Sequence, residues 1–379
     1  MAVAESVSDT AGTPVISAWS AISPLGLDSA EFSRGLGSGR RAAVRLDREE
    51  WQVPYREACL VPGFDIRGLL GRKGTRSMDR ITGLAVVALG RLLANGDAGR
   101  LPGIDEDTGL VLGTSTGSAQ SMMNFTRDSL VGSRPYLVDP ARFPNTVMNC
   151  AAGQSAIWHR LKGPNTTVAG GRATGLLALR YALRLHRAGR ARTLLCGAVE
   201  EFSTARAWLA WHARGVAGDD ERREAVLGEG AAVWLLEGAE DARAHGRSGI
   251  AEVLGLEFGF AEDHSAIRPV LADCLRRLLD RSDLAADGVD ALADTQLAGP
   301  DGDAERAAVA EVLGPRLPPR VACADSIGDT FAASAAFQIA AVLARAGSGA
   351  ADAGARTVLI TSAEANGMVG AALLRLAGS

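Results

Sequence analysis

Along this chain, short continuous apolar runs alternate with longer stretches in which apolar residues recur every three or four positions. The short runs read as strands, and the longer stretches carry the one-sided stripe of helices packed on a core. In the first two thirds, strands are expected at Val15–Ala18, Gly109–Gly117, Thr166–Val168, Ala191–Val199 and 228–237. Helices are expected from Asp28 or Ser29, where a polar side chain can cap the first turn, and at Arg76–Ala94, Ala119–Leu130, Cys150–Leu161 and Ala173–Arg187. The second of these should stop near Asn95-Gly96. Residues 38–75 have no clear period and read as loop with short elements, and Gly215–Arg223 reads as an exposed polar loop. The segment Pro140–Asn149, PARFPNTVMN, holds two prolines and cannot be regular helix throughout.

After the polar stretch 241–247, expected as an exposed linker, the pattern starts again. Strands are expected at Ile250–Phe260, Val289–Thr295, Arg320–Ala324, Val358–Ser362 and Val369–Leu376, with helices at Ile267–Leu279, Ala304–Leu313 and Thr330–Arg345. Two halves of similar make-up without an obvious sequence repeat imply an internally duplicated, layered α/β architecture. The division is placed after a disordered lead-in at 1–12, giving halves at 13–247 and 248–379.

Composition narrows the function. With a net charge of −4, nothing points to nucleic acid or a membrane surface, and no stretch is apolar for long enough to span a bilayer. Arginine supplies nearly all the positive charge, since the only lysines are Lys73 and Lys162. The five cysteines, Cys59, Cys150, Cys196, Cys274 and Cys323, are scattered without a C-x-x-C pair, which suggests reduced thiols in a cytoplasmic protein and no metal site. The N-terminus lacks the basic start and apolar run of a signal peptide.

The most informative stretch is GPNTTVAGGRATGLLALRYALRLHR, Gly163 to Arg187. A β-branched run, a glycine pair and an apolar helix make a strand, a sharp turn and a buried helix. The residue at such an elbow projects from the positive end of the helix, and here it is Arg172. A cysteine there would be activated as thiolate. Arginine has no lone pair to attack with and stays protonated. Arg172 either pairs with a carboxylate, for which Glu200, Glu201 and Asp329 are candidates, or binds the carboxylate or thioester of a ligand.

The frame GP-x-x-TV-x-x-x-x-A-[ST]-G, the GAVEE at 197–201, the N-terminal VISAWSAISPLG and the GEGAAVWLLE at 228–237 resemble the β-ketoacyl synthases of the thiolase fold. That resemblance covers the chain from about residue 13 onward and implies an αβαβα layered fold. In the family, the Arg172 position holds the acyl-accepting cysteine, joined by two histidines in HGTGT-x-x-x-D and K-S-x-x-GH motifs. DTQLAGPDGDAE at 294–305 places Thr295 at the first histidine position. ADSIGDTFAASAAF, with one residue of slippage, places Asp329 at the second and Asp325 at the lysine. EANGM at 364–368 stands where G-F-G-G-x-N is usual.

Decarboxylative condensation needs a thiol to hold the acyl chain and imidazoles to stabilise the enolate. The catalytic positions Arg172, Thr295 and Asp329 supply neither, and the five histidines lie outside the motifs. Cys150 and Cys196 read as packing residues, and the Ser115 and Ser118 loop GTSTGS lacks nucleophile-elbow and phosphate-loop spacing. The resemblance therefore implies a subunit that is not catalytic alone and uses no cofactor, similar to the chain-length factors of type II polyketide synthases. Such factors usually carry glutamine at the Arg172 position. The expected partners are a catalytic ketosynthase in a heterodimer, or a second copy, and an acyl carrier protein. Arg142, Phe143, Asn145, Met148 and Thr167 are the candidates for lining the tunnel end or the subunit interface. Two alternatives stay open: an acyltransferase or hydrolase using a repurposed pocket, and an acyl-binding homodimeric scaffold.

Overall fold

A computed structural model of the protein describes residues 12–94, 99–215, 226–347 and 356–377. The lead-in at 1–12, apart from Gly12, the helix stop at Asn95-Gly96 and nearly all of the loop Gly215–Arg223 lie outside the described residues. The chain begins with β1 (Pro14–Ile22), α1 (Ser29–Gly37), β2 (Val44–Arg45), β3 (Glu57–Cys59), α2 (Ile66–Leu70), α3 (Arg80–Leu93), β4 (Gly109–Gly113) and α4 (Ala119–Val131). A 3-10 segment at Pro140–Thr146 leads into α5 (Cys150–His159), β5 (Asn165–Val168), α6 (Thr174–Arg187), β6 (Leu194–Glu200), α7 (Thr204–Gly215), β7 (Leu227–Gly228), β8 (Gly230–Gly238) and α8 (Ala239–Ala244). The remainder is β9 (Ala251–Ala261), α9 (His264–Arg281), β10 (Ala291–Ala293), α10 (Pro300–Leu313), α11 (Ala324–Ile327), α12 (Ser334–Gly347), β11 (Thr357–Ser362) and β12 (Gly367–Leu376).

Nine strands pair in the order β10-β11-β12-β9-β1-β8-β6-β4-β5. Only Val15 and Ile16 of β1 meet Glu252 and Ala251 of β9, so the two parts of the sheet join through a narrow seam. Alternation along the strands shows what each face covers. Leu194, Cys196 and Ala198 share a core with α6 and α12, whereas Leu195 and Val199 face α3 and α5. In the other part, Val358 and Ile360 face α12, while Leu359 packs against α9 and α10. The central helices are therefore enclosed between two sheet parts, with outer helices on both sides, in five αβαβα layers.

Local chemistry sets the element boundaries. Asp28 accepts the Glu31 N–H at 2.7 Å and Asp79 accepts the Thr82 N–H at 3.1 Å, capping α1 and α3. Helix α10 starts at Pro300, earlier than the apolar period indicates, because proline fits the first turn and Asp301 and Asp303 complement its dipole. The expected linker at 241–247 is corrected: its first part belongs to α8, an alanine-rich turn with Glu240 and Asp241 at its start. The expected strand at Arg320–Ala324 is also corrected. Only Arg320 bridges to Leu292, and the amides of Cys323 and Ala324 donate to Gln296 Oε1 at 2.7 and 2.8 Å, opening the short α11 instead. No helix among the described residues is long and apolar enough to cross a membrane.

The two central helices approach at backbone distance. A Cβ added to Gly175 of α6 would stand 2.4 Å from the Ala336 backbone nitrogen of α12. Gly175→Ala is therefore expected to cost about 1–3 kcal/mol in chemical denaturation, as overpacking of a rigid core does. Gly153→Ala on α5, where an added Cβ meets nothing within 4 Å, should be neutral or stabilising by up to about 1 kcal/mol.

Candidate functional site: an ion pair in the elbow

β5 ends at Val168 and the chain reverses through Gly170 and Gly171, the latter at φ +58, before α6 begins. Thr174 ties the bend: its hydroxyl accepts from the Gly170 N–H at 2.9 Å and donates to the Gly171 carbonyl at 2.6 Å. Arg172 projects from this bend. Its Nη1 and Nη2 donate to the two oxygens of Asp329 at 2.7 and 2.8 Å, a bidentate fork, with the side chains 12% and 11% exposed. The guanidinium lies over the Phe331 ring, 5.4 Å from its centroid, and the Arg172 N–H donates to Glu364 Oε2 at 3.0 Å.

Asp329 is held from several sides. Its Oδ1 accepts the Phe331 N–H at 3.0 Å, and its carbonyl accepts Arg206 Nη2 at 2.9 Å and the Gly228 N–H at 2.9 Å. Burial alone would raise its pKa, but the charge and hydrogen bonds of Arg172 hold the carboxyl well below the usual range. Burial opposes the charge of Arg172 as well, and Asp329 more than restores it. Of the three carboxylates open as partners for Arg172, Asp329 takes the place. Glu200 accepts from Ser115 Oγ at 3.0 Å and lies 4.0 Å from Arg206 Nε, and Glu201 accepts from Ser118 Oγ at 3.0 Å.

Thr295, at the other sequence-marked position, belongs to a separate buried network. Its hydroxyl and that of Thr361 both donate to Glu305, which is 1% exposed, and the neighbouring Asp294 pairs with Arg320 at 2.7 Å. Asp325 is exposed on α11. The structure thus brings Arg172 and Asp329 together and leaves Thr295 bonded elsewhere. Sequence reasoning misses Glu364 and Arg206 as members of the site. EANGM marks the first as a departure from the family motif, but only the folded turn carries its carboxylate to the elbow.

Among the described residues, no thiol stands at the elbow beside Arg172, and the thiols elsewhere are held protonated. Burial pushes the thiols of Cys59 and Cys323 up to about 12 and that of Cys196 well above its ordinary value, while burial and Asp79 raise Cys150. Four of the five histidines are engaged elsewhere: His159 meets the Val86 carbonyl, His186 the Arg192 carbonyl and His264 the Asp301 carboxylate, while His212 stacks on Trp208; the fifth, His245, stands at the end of α8.

The interface candidates gather on one face. Phe143, 58% exposed, packs on Phe125 with ring centroids 5.9 Å apart, and Arg142 pairs with Asp128 at 3.5 Å. Asn145 donates to the Ser77 carbonyl at 2.6 Å and accepts from Cys150 Sγ at 3.3 Å, and Met148 is partly exposed beside them. Thr167 stands apart on β5, the terminal strand of the sheet, its hydroxyl buried and without a hydrogen-bond partner among the described residues.

The sequence profile of the β-ketoacyl synthase N-terminal domain matches residues 14–242, and the chain belongs to the β-ketoacyl synthase family. Among curated relatives, the 3-oxoacyl-[acyl-carrier-protein] synthase 2 of Rhizobium meliloti (strain 1021) is 29% identical over 307 residues, 73% of this chain and 72% of the relative. The synthase of the same name from Vibrio cholerae serotype O1 is 27% identical over 266 residues, covering 66% of this chain and 63% of the relative's own length. A chain of the solved ishigamide ketosynthase/chain length factor is 42% identical, with a TM-score of 0.85, covering 97% of this chain and 100% of that one. A β-ketoacyl synthase from Burkholderia phymatum STM815, 23% identical with a TM-score of 0.82 over 97% of this chain and 100% of that one, shows the thiolase-like fold alone.

Two stability measurements test the electrostatics. Arg172→Ala strands the Asp329 carboxylate and should cost about 3–5 kcal/mol, and adding Asp329→Ala should recover part of that loss in a double-mutant cycle. Glu305 behaves in the opposite sense: burial and Asp294 raise it to about 7 against the donors of Thr295 and Thr361. Unfolded, it releases its proton near about 4.3. Between those values the native state binds more protons, so this group's contribution falls as pH rises. Glu305→Gln is expected to gain stability relative to wild type as pH is raised from about 5 to about 8, measured by urea denaturation at each pH.

Proposed function

We propose that this protein is a non-catalytic ketosynthase-like subunit of the chain-length-factor type. It pairs with an active ketosynthase and shapes the end of the acyl tunnel during polyketide or fatty-acyl elongation with an acyl carrier protein. The observation that carries this reading is the bidentate pair of Arg172 and Asp329, which fills the elbow with a closed ion pair where a nucleophile would need to stand. Neither partner can hold an acyl group as a thiol does, and the guanidinium fork that could donate to a thioester oxygen already donates to Asp329.

The pairing surface has its own support. β5 is a terminal strand, and the adjoining face carries exposed Met123, Leu130, Tyr136, Leu137, Phe143 and Ile157. An apolar face beside an open strand edge is a feature of subunit interfaces rather than of free surfaces. The 42% identical neighbour bears the name of a ketosynthase and a chain length factor together, which agrees with a heterodimer. The division into halves at 13–247 and 248–379 belongs to the same proposal, since a duplicated scaffold can outlive its reaction centre.

Co-expression with a catalytic ketosynthase of the type II polyketide class should give a stable one-to-one complex. Phe143→Ala or Met148→Trp should shift product length in the reconstituted system, compared at equal amounts of purified complex. The isolated subunit should not condense malonyl thioesters. Condensation by the purified protein alone, surviving Arg172→Ala, would overturn the reading.

A further inference from the structure

The ion pair reaches the edge of the sheet. β5 is four residues long and hydrogen-bonds to one neighbour, β4, where Leu110–Gly113 run parallel to Asn165–Val168. Beyond its end come Ala169, Gly170 and Gly171; Thr174 ties the two glycines to the start of α6, and neither has a side chain of its own to reach a remote segment. The anchor is Arg172, and it is bound twice to segments remote in sequence. Its guanidinium grips Asp329, between α11 and α12, and its amide donates to Glu364, in the turn between β11 and β12. Gly171 makes room for the second contact, since a Cβ there would stand 1.9 Å from Glu364 Oε2. The Glu364 turn is itself fastened by the Ala365 N–H on Asp301 Oδ2 at 3.2 Å. Arg206 braces the other side by donating to the Asp329 carbonyl.

We propose that Arg172 is a positioning residue for subunit association: its pair with Asp329 and its amide contact with Glu364 hold the exposed edge of β5 in the conformation that a ketosynthase partner pairs with. The inference rests on the heterodimer proposed above and assigns to this site the control of that association. The physical argument is entropic. An edge strand with one neighbour and a glycine hinge at its end has little to fix it, and each residue left mobile must be ordered when the partner docks. A buried clamp one residue past the hinge supplies that order before binding. Thr114 N–H on the Val168 carbonyl, at 3.1 Å, is the last rung on the sheet side, so the clamp takes over where the ladder stops.

The test measures two quantities on the full chain. Hydrogen exchange is followed at the amides of 165–168, and the dissociation constant is measured with the catalytic ketosynthase that forms the complex, at a temperature where every variant is folded. Arg172→Ala and Asp329→Asn should each speed exchange at β5 and the elbow, with the rest of the sheet unchanged. Each should weaken the complex about tenfold or more, which corresponds to about 1.4 kcal/mol per factor of ten. Arg172→Lys, which keeps one charged contact, should recover part of both effects. Should Arg172→Ala not fold, Asp329→Asn and Arg172→Lys decide the matter. Wild-type affinity in the folded Asp329→Asn variant, or faster exchange spread evenly over all nine strands, would overturn the assignment. If the wild-type protein forms no complex at all, the heterodimer reading fails, while the exchange data still report whether the clamp orders the edge.

Discussion

A permanently charged side chain at the start of a buried helix has to find an opposite charge, and the folding of this protein is arranged so that it does. Arg172 sits where α6 already presents positive charge, and the side chain is only 12% exposed. Left alone there it would be costly to desolvate. Asp329 comes from 157 residues away with both oxygens aligned on the guanidinium fork. Its own backbone is fixed by Arg206, Gly228 and Val226, so the carboxylate is presented by a rigid loop. The pair therefore joins the β5 elbow to the segment before α12, and with Glu364 it reaches the β11–β12 turn as well.

That three-way junction lies at one end of the central helices. α6 and α12 cross with Gly175 against the Ala336 backbone, and the alanines of α12 allow the contact. Close packing in the middle layer leaves little freedom for the segments that lead into these helices. The elbow before α6 and the loop before α12 are those segments. Here that geometry brings two ionised side chains into register, and a fold alone does not decide what such an elbow is used for.

Much of the architecture was legible because period and length agree: the buried runs of β4, β6 and β8 and the one-sided stripes of α3, α6 and α12 could be read from residue order alone. Failures came where local chemistry outweighs period. Arg320–Ala324 is apolar enough for a strand, yet Gln296 captures its amides and diverts it. Residues 241–247 are polar enough for a linker, yet alanine and a first-turn acid pair draw the first of them into the helix at 239–244. Within the site, Arg172 and Asp329 were both marked by their motif positions, but the need for a counter-charge left Glu200, Glu201 and Asp329 open alike, and only the folded chain selects Asp329. Arg206 gave no such signal, and Glu364 was marked only as a motif departure that did not say what it would touch. Their contacts are with backbone atoms of the pair, and a side chain that bonds backbone leaves no trace in residue type.

The same network explains why restoring sulfur would not restore a reaction centre. A cysteine in place of Arg172 would lie beside the Asp329 carboxylate, whose negative charge disfavours thiolate, where an active centre needs a neighbour that promotes it. With its cation gone, Asp329 itself would be left uncompensated among buried groups. Glu364 would still accept the elbow amide that a thioester oxygen would need, and Thr295 would still be committed to Glu305. The pair and its neighbours thus act as one unit: each charge or donor is answered by another, and exchanging one member alone leaves the others unmatched.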